Sequence, residues 1–433
     1  MPSFYLKTYG CQMNVYDSER MVALLSPLHY SPTENMDEAD LILFNTCTVR
    51  EKAKHKLLSD LGFLKPMKEK NKNLIIGMGG CVAQEEGEKL LKRVPHLDLV
   101  FGVDQVDELP HLLEQVQKNK RRLSVTAFDT DPKFSLAYAV PDQSPVSSFI
   151  TIMKGCDKFC SFCIVPFTRG REKSRSPREI LQEIELKVKK GTKEITLLGQ
   201  NVNSYQYEGI NFPKLLRMVD QISGLKRIRF TSPHPQDFSD ELIECYINAQ
   251  HLCPHLHLPV QSGNNDVLKR MRRWHTIEHY KERLQKLKKG IPHIALSTDI
   301  IVGFPGETKE EFEDTLSLLK EIRYDFVFSF KYSSRQGTRA AEEFSDDVSE
   351  PEKESRLASL QRLQEQISKE INETLVGITQ EVLVEAVSKE QRLQGRTPNN
   401  KIVHFEGDPS LMGKFVDVSL QKAMPHSFLG TLT

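Results

Sequence analysis

Hydrophobic and polar positions along this chain alternate between short apolar runs and longer amphipathic stretches. Residues 4–9 form a first strand candidate that ends at Gly10-Cys11, ahead of a helical pattern over 17–25. An apolar strand over 41–44 ends at Asn45-Thr46-Cys47 and leads into a helix over 51–64. Residues 74–76 lead to Gly79-Gly80-Cys81 and a helix over 85–93. Strands alternating with helices predict a parallel sheet with crossover connections, here a doubly wound N-terminal domain over 1–117. In such sheets function gathers at the carboxyl ends of the strands. Cys11, Cys47 and Cys81 each occupy such an end, which points to a shared metal site. The plain alternative is three small residues at tight turns.

A basic, then Asp-, Pro- and Ser-rich stretch over 118–147 has the composition of a linker. A second βα series follows over 148–373, with strands predicted at 149–153, 195–198, 227–231, 255–258, 295–302 and 326–332. Amphipathic helices over 180–190, 215–222, 280–289 and 312–322 lie between them. Six such units fit a partial (β/α)6 barrel, again with its chemistry at the strand ends. Leu357, Leu360, Leu363, Ile367 and Ile371 mark one further helix by their spacing. From 374 to 433 the pattern changes to alternation over 381–387 and 414–420, with Gly395, Gly407, Gly413 and Gly430 at turns. That predicts a small C-terminal β-barrel.

Composition changes this picture little. The 433 residues carry 59 Lys+Arg against 59 Asp+Glu, so net charge neither supports nor forbids a nucleic-acid partner. No charged leader followed by an apolar stretch opens the chain, and no apolar run approaches the roughly 18–20 residues needed to span a bilayer. A cytoplasmic protein without a membrane partner is expected. The eight cysteines would then be reduced thiols, suited to metal ligation or catalysis.

Cys156-Asp157-Lys158-Phe159-Cys160-Ser161-Phe162-Cys163 is the sharpest signal. It follows a strand candidate, and three thiolates so close together can ligate three irons of a cubane cluster. No fourth cysteine lies nearby, so one iron would be open to a chelating small molecule. Structural zinc is the alternative, with His234, His251, His255 and His257 as candidate completing ligands. Cys245 and Cys253 match no ligand position and read as ordinary structural thiols.

Cys-x3-Cys-x2-Cys after the first strand of a six-unit βα barrel resembles the radical S-adenosylmethionine superfamily. That resemblance implies a [4Fe–4S] cluster whose open iron binds S-adenosylmethionine, and reductive cleavage to a 5′-deoxyadenosyl radical. It places Phe162 near the adenine. It also places cofactor contacts at strand ends, with Gly199, Gln200, Ser232, Gln261, Ser262 and Gly303 as candidates. Each of these could equally be a core or turn residue.

Longer strings narrow the resemblance. They are Thr8-Tyr9-Gly10-Cys11-Gln12-Met13-Asn14 with Asp17-Ser18-Glu19; Asn45-Thr46-Cys47-Thr48-Val49-Arg50-Glu51; Gly80-Cys81-Val82-Ala83-Gln84; Cys163-Ile164-Val165-Pro166 with Arg169-Gly170-Arg171-Glu172; and Leu198-Gly199-Gln200-Asn201-Val202-Asn203. Together they resemble the tRNA methylthiotransferases over essentially the whole chain. The family implies a second, auxiliary [4Fe–4S] cluster on Cys11, Cys47 and Cys81, open to a sulfur that can be methylated. It further implies a tRNA anticodon stem-loop as partner, an external electron donor and a sulfur source. The implied substrate is N6-isopentenyladenosine at tRNA position 37, converted to its 2-methylthio derivative, a branch favoured by Gln12-Met13-Asn14.

Residues 374–433 resemble a TRAM domain, associated with RNA binding, best matched by Gly395-Arg396-Thr397-Pro398-Asn399-Asn400-Lys401. Arg396 and Lys401 are candidate phosphate contacts. So is Arg171, within a basic segment that also holds Arg169, Lys173 and Arg175. Arg270, Arg272 and Arg273 form another basic segment. Trp274 is expected to pack in an interdomain core, with base stacking as the alternative. Two rivals remain. One is a family member acting on threonylcarbamoyl-adenosine or on a ribosomal-protein aspartate. The other is an RNA-binding protein with purely structural metal.

Overall fold

Strand β3 (Leu41–Thr46) shows how the N-terminal sheet is organised. Leu41 and Leu43 pack into one core, Ile42 and Phe44 into another, and all six strand residues are buried. A strand with an uninterrupted apolar run is one covered on both faces. In the computed structural model, which describes residues 1–48, 51–129, 145–388 and 390–433, β1 (Ser3–Tyr9) and β3 belong to a six-stranded sheet. The others are β2 (Ser31–Pro32), β4 (Ile75–Gly80), β5 (Leu99–Phe101) and β6 (Leu123–Val125). Their order is β2-β1-β3-β4-β5-β6, and every pairing is parallel. Helices α1 (Gln12–Leu25) and α4 (Leu109–Asn119) cover one face through Met21, Leu24, Leu109 and Leu113. Helices α2 (Glu51–Lys70) and α3 (Cys81–Arg93) cover the other through Leu57, Leu61, Val82 and Leu90.

Several boundaries differ from the sequence expectation. Helix α1 begins at Gln12, not at 17, and α3 begins at Cys81, not at 85. Helix α2 runs past Pro66 to Lys70, because its buried stripe of Leu57, Leu61 and Leu64 is continued by Met67 on the same core. Strand β5 and helix α4 were not anticipated. Strand β6 lies inside the stretch read as a linker, pairing in register with β5. Of that stretch, residues 130–144 lie outside the described residues, as do Val49 and Arg50 of the family string.

The second series opens with the strand Ser147–Thr151, and then Met153–Lys154 forms a short antiparallel ribbon with Lys173–Ser174. Further on, Glu194–Leu198 pairs in parallel with Arg227–Phe230, and Leu252 bridges to Ile228 in the same sense. His255–His257, Ala295–Val302 and Phe326–Lys331 continue as parallel neighbours. Helices Phe212–Asp220, Asp240–Asn248, Ile277–Gly290 and Lys309–Ile322 alternate with these strands. Each starts at a polar cap (Asn211, Ser239, Thr276, Thr308) whose side chain accepts a first-turn N–H. The spaced leucines belong to the 24-residue helix Glu350–Glu373.

The tail closes as a five-stranded barrel, Thr379–Val387, Leu393–Arg396, Ile402–Phe405, Ser427–Leu432 and Phe415–Ala423 in spatial order. Two arginines on one face of the strand Arg227–Phe230 fasten it. Arg227 donates to the carbonyl of Arg396 at 2.7 Å and to Glu381 at 2.9 Å, and Arg229 donates to the carbonyls of Thr397 and Pro398 at 2.9 Å each. Among the described residues no helix is long and apolar enough to cross a membrane.

Candidate functional site

Register brings the first three cysteines together. Tyr9 in β1 is the partner of Thr46 in β3, and Thr46 is the partner of Gly80 in β4. Adjacent strands run about 4.8 Å apart. Cys11, Cys47 and Cys81 therefore leave three neighbouring strand ends within two residues of that row. Cys47 N–H donates to the Tyr9 carbonyl at 2.9 Å, tying two of the ends. Gly10 at φ +136° and Gly80 at φ +91° permit the close approach. A Cβ on Gly10 would overlap the side chain of Cys47, and one on Gly80 would press the Thr46 backbone.

Beneath the thiols lies a buried amide network. Asn14 Nδ2 donates to Asn45 Oδ1 at 2.9 Å, Asn45 Nδ2 donates to the Asn14 carbonyl at 2.8 Å, and Cys11 Sγ donates to Asn14 Oδ1 at 3.2 Å. The family string at the first cysteine is thus the floor of the site.

A buried cation meets this trio. Arg169, at the end of the short helix Val165–Arg169, is buried with Nε 3.3 Å from Cys81 Sγ and Nη2 3.0 Å from Asp17 Oδ2. Its Nη1 is buried without a partner among the described residues. Burial opposes its charge, but Cys81, Asp17 and Cys11 more than offset this and hold the guanidinium well above its ordinary pKa. A hydrogen bond with Cys47, helped by Arg169, lowers the Cys11 thiol to about 6. Burial raises the Cys81 thiol despite Arg169. Among the described residues no group of three His, Cys, Asp or Glu stands ready to hold a metal ion.

The later trio sits on the loop after Met153–Lys154. Cys156 N–H donates to the Gly170 carbonyl at 3.1 Å, and Cys163 N–H to the Cys160 carbonyl at 3.0 Å. Ser161 Oγ and N–H donate to the carbonyls of Arg270 and Met271 at 2.8 and 3.0 Å. Here too an arginine meets a cysteine sulfur. Arg273 Nη1 lies 3.6 Å from Cys160 Sγ, and its Nη2 donates to the Pro259 carbonyl at 2.5 Å. Its Nε is buried without a partner among the described residues.

The candidate cofactor residues divide. Ser232 at φ +62°, Gln261 at φ +75° and Gly303 at φ +69° all follow strands in left-handed backbone, two of them without the freedom of glycine. Such strain clusters at functional sites. Gln261 accepts from Ile301 N–H at 2.9 Å and Ser262 is fully buried. Gly303 N–H donates to Glu307 at 2.6 Å, and Glu307 pairs with Arg356 at 2.7 Å, so this loop is closed on itself. Phe162 packs beside Val267, Met271, Phe304 and Tyr332. Gly199 is buried and Gln200 half-buried, just beyond the strand Glu194–Leu198.

The basic segments are not the exposed faces they resemble in sequence. Arg169 and Arg175 are buried in ion pairs with Asp17 and Glu183. Arg270 pairs with Glu311, Arg272 with Glu343, and Arg273 is buried. Arg171 stays exposed and pairs with Asp157 at 2.8 Å. Arg396 pairs with Glu385 at 3.2 Å, and Lys401 with Asp325 at 2.6 Å where the barrel meets the preceding βα series. Trp274 was expected in a core. It is 64% exposed instead, turned outward by left-handed backbone at Arg272 (φ +55°) and Trp274 (φ +46°).

The histidines weighed as zinc ligands have other partners. His251 pairs with Asp220, while His255 and His257 both contact Ser297 Oγ. His234 stacks edge-on with His275, and burial with the Arg273 charge pushes its pKa far below the ordinary value. Cys245 and Cys253 are buried, and burial lifts the Cys253 thiol to about 11. Sequence reasoning missed Arg169, Asp17 and Arg273 as site residues. The signal available for Arg169 was its place two residues after the apolar run Ile164–Phe167.

Residues 150–319 match the Radical SAM superfamily, 3–102 the Uncharacterized protein family UPF0004, and 373–433 the TRAM domain. A "tRNA-2-methylthio-N(6)-dimethylallyladenosine synthase" of Trichlorobacter lovleyi is 47% identical over 99% of this chain and 98% of its own length. One of the same name from Myxococcus xanthus is 49% identical over 99% and 94%. Among solved structures, the radical S-adenosylmethionine methyltransferase TsrM from Kitasatospora setae shares the fold at TM-score 0.57 and 12% identity, over 87% of this chain and 78% of that one.

Proposed function

We propose the following chemistry for this chain, which belongs to the family of MiaB-type tRNA methylthiotransferases. It is a tRNA-2-methylthio-N6-dimethylallyladenosine synthase, converting N6-isopentenyladenosine at tRNA position 37 to the 2-methylthio derivative. The observation that carries this reading is the Tyr9–Thr46–Gly80 row, which delivers three soft thiols to adjacent strand ends in a chain that also carries Cys156-x3-Cys160-x2-Cys163.

The residues fit two iron–sulfur clusters. Each trio supplies three thiolates, the ligand count that leaves one iron of a cubane open. Each has a buried arginine against a cysteine sulfur to offset the negative charge, with one nitrogen unpartnered among the described residues. Cys156, Cys160 and Cys163 would hold the cluster that binds S-adenosylmethionine; Cys11, Cys47 and Cys81 would hold the auxiliary one. Bound there, the clusters supply reductive cleavage of the sulfonium and a sulfur that can be methylated.

The chain's own residues bind and orient. Ser232, Gln261 and Ser262 offer strand-end backbone and hydroxyl groups to S-adenosylmethionine, with Gly199, Gln200 and Gly303 at the neighbouring ends and Phe162 beside the adenine. Arg273 fixes Cys160. The neutral, buried His234 and His275 keep the surroundings of Arg273 free of further positive charge; burial and Arg273 lower His275 to about 3. The tRNA anticodon stem-loop is the macromolecular substrate, and an external electron donor and a sulfur source complete the turnover. The cytoplasm is the expected site of action.

Anaerobically purified protein should contain about eight irons per chain if both clusters are cubanes. Zinc without iron would favour the RNA-binding module. Nucleoside mass spectrometry of tRNA from a deletion strain should show loss of 2-methylthio-isopentenyladenosine; an unchanged level excludes the assignment and leaves the other branches of the family.

Trp274 gives a sharper test of RNA contact. Stacking of one base is worth about 1–3 kcal/mol. Trp274→Ala should therefore weaken binding of a labelled anticodon stem-loop by about five- to 150-fold in fluorescence anisotropy. Trp274→Phe should retain most of the affinity. Equal affinities for all three proteins would assign the indole no part in binding.

A further inference from the structure

We propose that the buried Asp17–Arg169 ion pair sets the reduction potential of the cluster held on Cys11, Cys47 and Cys81. This rests on the two-cluster reading above and makes Arg169 a positioning residue with an electrostatic role.

The pair is unlike an ordinary structural salt bridge. Side-chain exposure is 3% for Arg169 and 2% for Asp17, with the charges 3.0 Å apart. The same guanidinium donates to Cys81 Sγ at 3.3 Å. It keeps a third nitrogen, Nη1, buried with no acceptor among the described residues. A buried donor left unpaired is costly, and a purely structural pair has no use for it. A sulfur-rich anion bound on the three thiols would give that donor an acceptor.

One-electron reduction adds a negative charge to the site. A cation in contact with a ligand sulfur stabilises the reduced form, and a carboxylate behind the cation works against it. In a dry interior such effects are several-fold larger than in water. Net charge and hydrogen bonds to sulfur are established levers on iron–sulfur potentials. Among the described residues, Arg20 and Lys154 are further buried cations whose charge reaches Asp17. They have carboxylates of their own, Asp107 for Arg20 and Asp104, at 3.7 Å, for Lys154. Arg169 donates directly to a cysteine of the trio, Cys81.

The test uses the full-length chain carrying Cys156→Ala, Cys160→Ala and Cys163→Ala, so that the electron paramagnetic resonance of the reduced protein belongs to the N-terminal cluster. Reconstituted anaerobically, it should hold about four irons. Potentiometric titration then compares three further substitutions in that background. Arg169→Gln should cut the reduced-to-oxidised ratio at a fixed potential at least tenfold, about 59 mV for a one-electron couple. Asp17→Asn should move the midpoint the opposite way, and Arg169→Lys should fall between parent and Arg169→Gln. Opposite signs are the signature, because loosened packing would not produce them. Unchanged midpoints, or shifts of one sign for Arg169→Gln and Asp17→Asn, overturn the proposal. Should Arg169→Gln lose its iron, Asp17→Asn and Arg169→Lys decide by the same signs. Failure of the parent triple variant to hold iron would instead overturn the two-cluster reading, and the proposal with it.

Discussion

Replacing Cys156 by Ala should abolish S-adenosylmethionine cleavage, with no 5′-deoxyadenosine detected by chromatography after anaerobic incubation with reductant. Two remaining thiolates, Cys160 and Cys163, cannot hold a cubane with one open iron in place. Iron content should fall from about eight to about four per chain. The loss should not come from unfolding. Cys156 contributes its N–H to the Gly170 carbonyl at 3.1 Å, a backbone bond that Ala retains. Cys245→Ala is the control, since Cys245 is buried with its Sγ 3.5 Å from the Pro213 carbonyl and matches no ligand position. Its cleavage activity should stay near that of the parent. Retained cleavage in Cys156→Ala would mean that the cysteine motif has been misread.

The second large effect is on stability. Arg175→Met should destabilise the N-terminal part of the chain by about 3–5 kcal/mol, the usual cost of removing one partner from a buried ion pair. Side-chain exposure is 1% for Arg175 and 0% for Glu183, and they are in direct contact. Arg175 also donates to the Thr151 carbonyl at 3.3 Å, and Tyr16 Oη donates to Glu183 at 3.2 Å. Without the guanidinium, Glu183 keeps among the described residues only the tyrosine as partner for a buried charge. Removing both charges, as Arg175→Met with Glu183→Gln, should recover a large part of the loss, because two fully desolvated ions contribute little net stability as a pair. Urea unfolding followed by circular dichroism reads both results as a shift in midpoint at constant slope. A single substitution costing less than about 1 kcal/mol would mean that water reaches the pair.

The arginines show where sequence reading fails. Arg169, Arg171, Lys173 and Arg175 look like one solvated basic face suited to phosphate. In the fold Arg171 is exposed and Lys173 half-buried, while Arg169 and Arg175 each find a carboxylate in the interior. The partner of Arg169 is 152 residues away in sequence. Local composition carries no trace of that distance. Trp274 fails in the opposite sense. Its hydrophobicity argues for burial, while the left-handed backbone of Arg272 and Trp274 turns the indole out. Lys401, read as a phosphate contact, is held by Asp325, the residue just before the strand Phe326–Lys331.

Alternation of apolar runs with amphipathic stretches was enough, by itself, to place strands at β1, β3 and β4, the series from Glu194 to Lys331, and a small β tail. Those periods are local consequences of backbone geometry, so they survive in one dimension. Spacing within Cys156–Cys163 likewise keeps its meaning without a fold, since eight consecutive residues cannot stray far from one another. Only the tertiary structure decided that β1, β3 and β4 are neighbours in a row, and hence that cysteines 36 and 34 residues apart share one end of a sheet. It alone decided which charges are buried and with whom. The reason is the same in both cases: strand order and ion pairing are settled by the closure of the whole chain, where distant segments compete for one place.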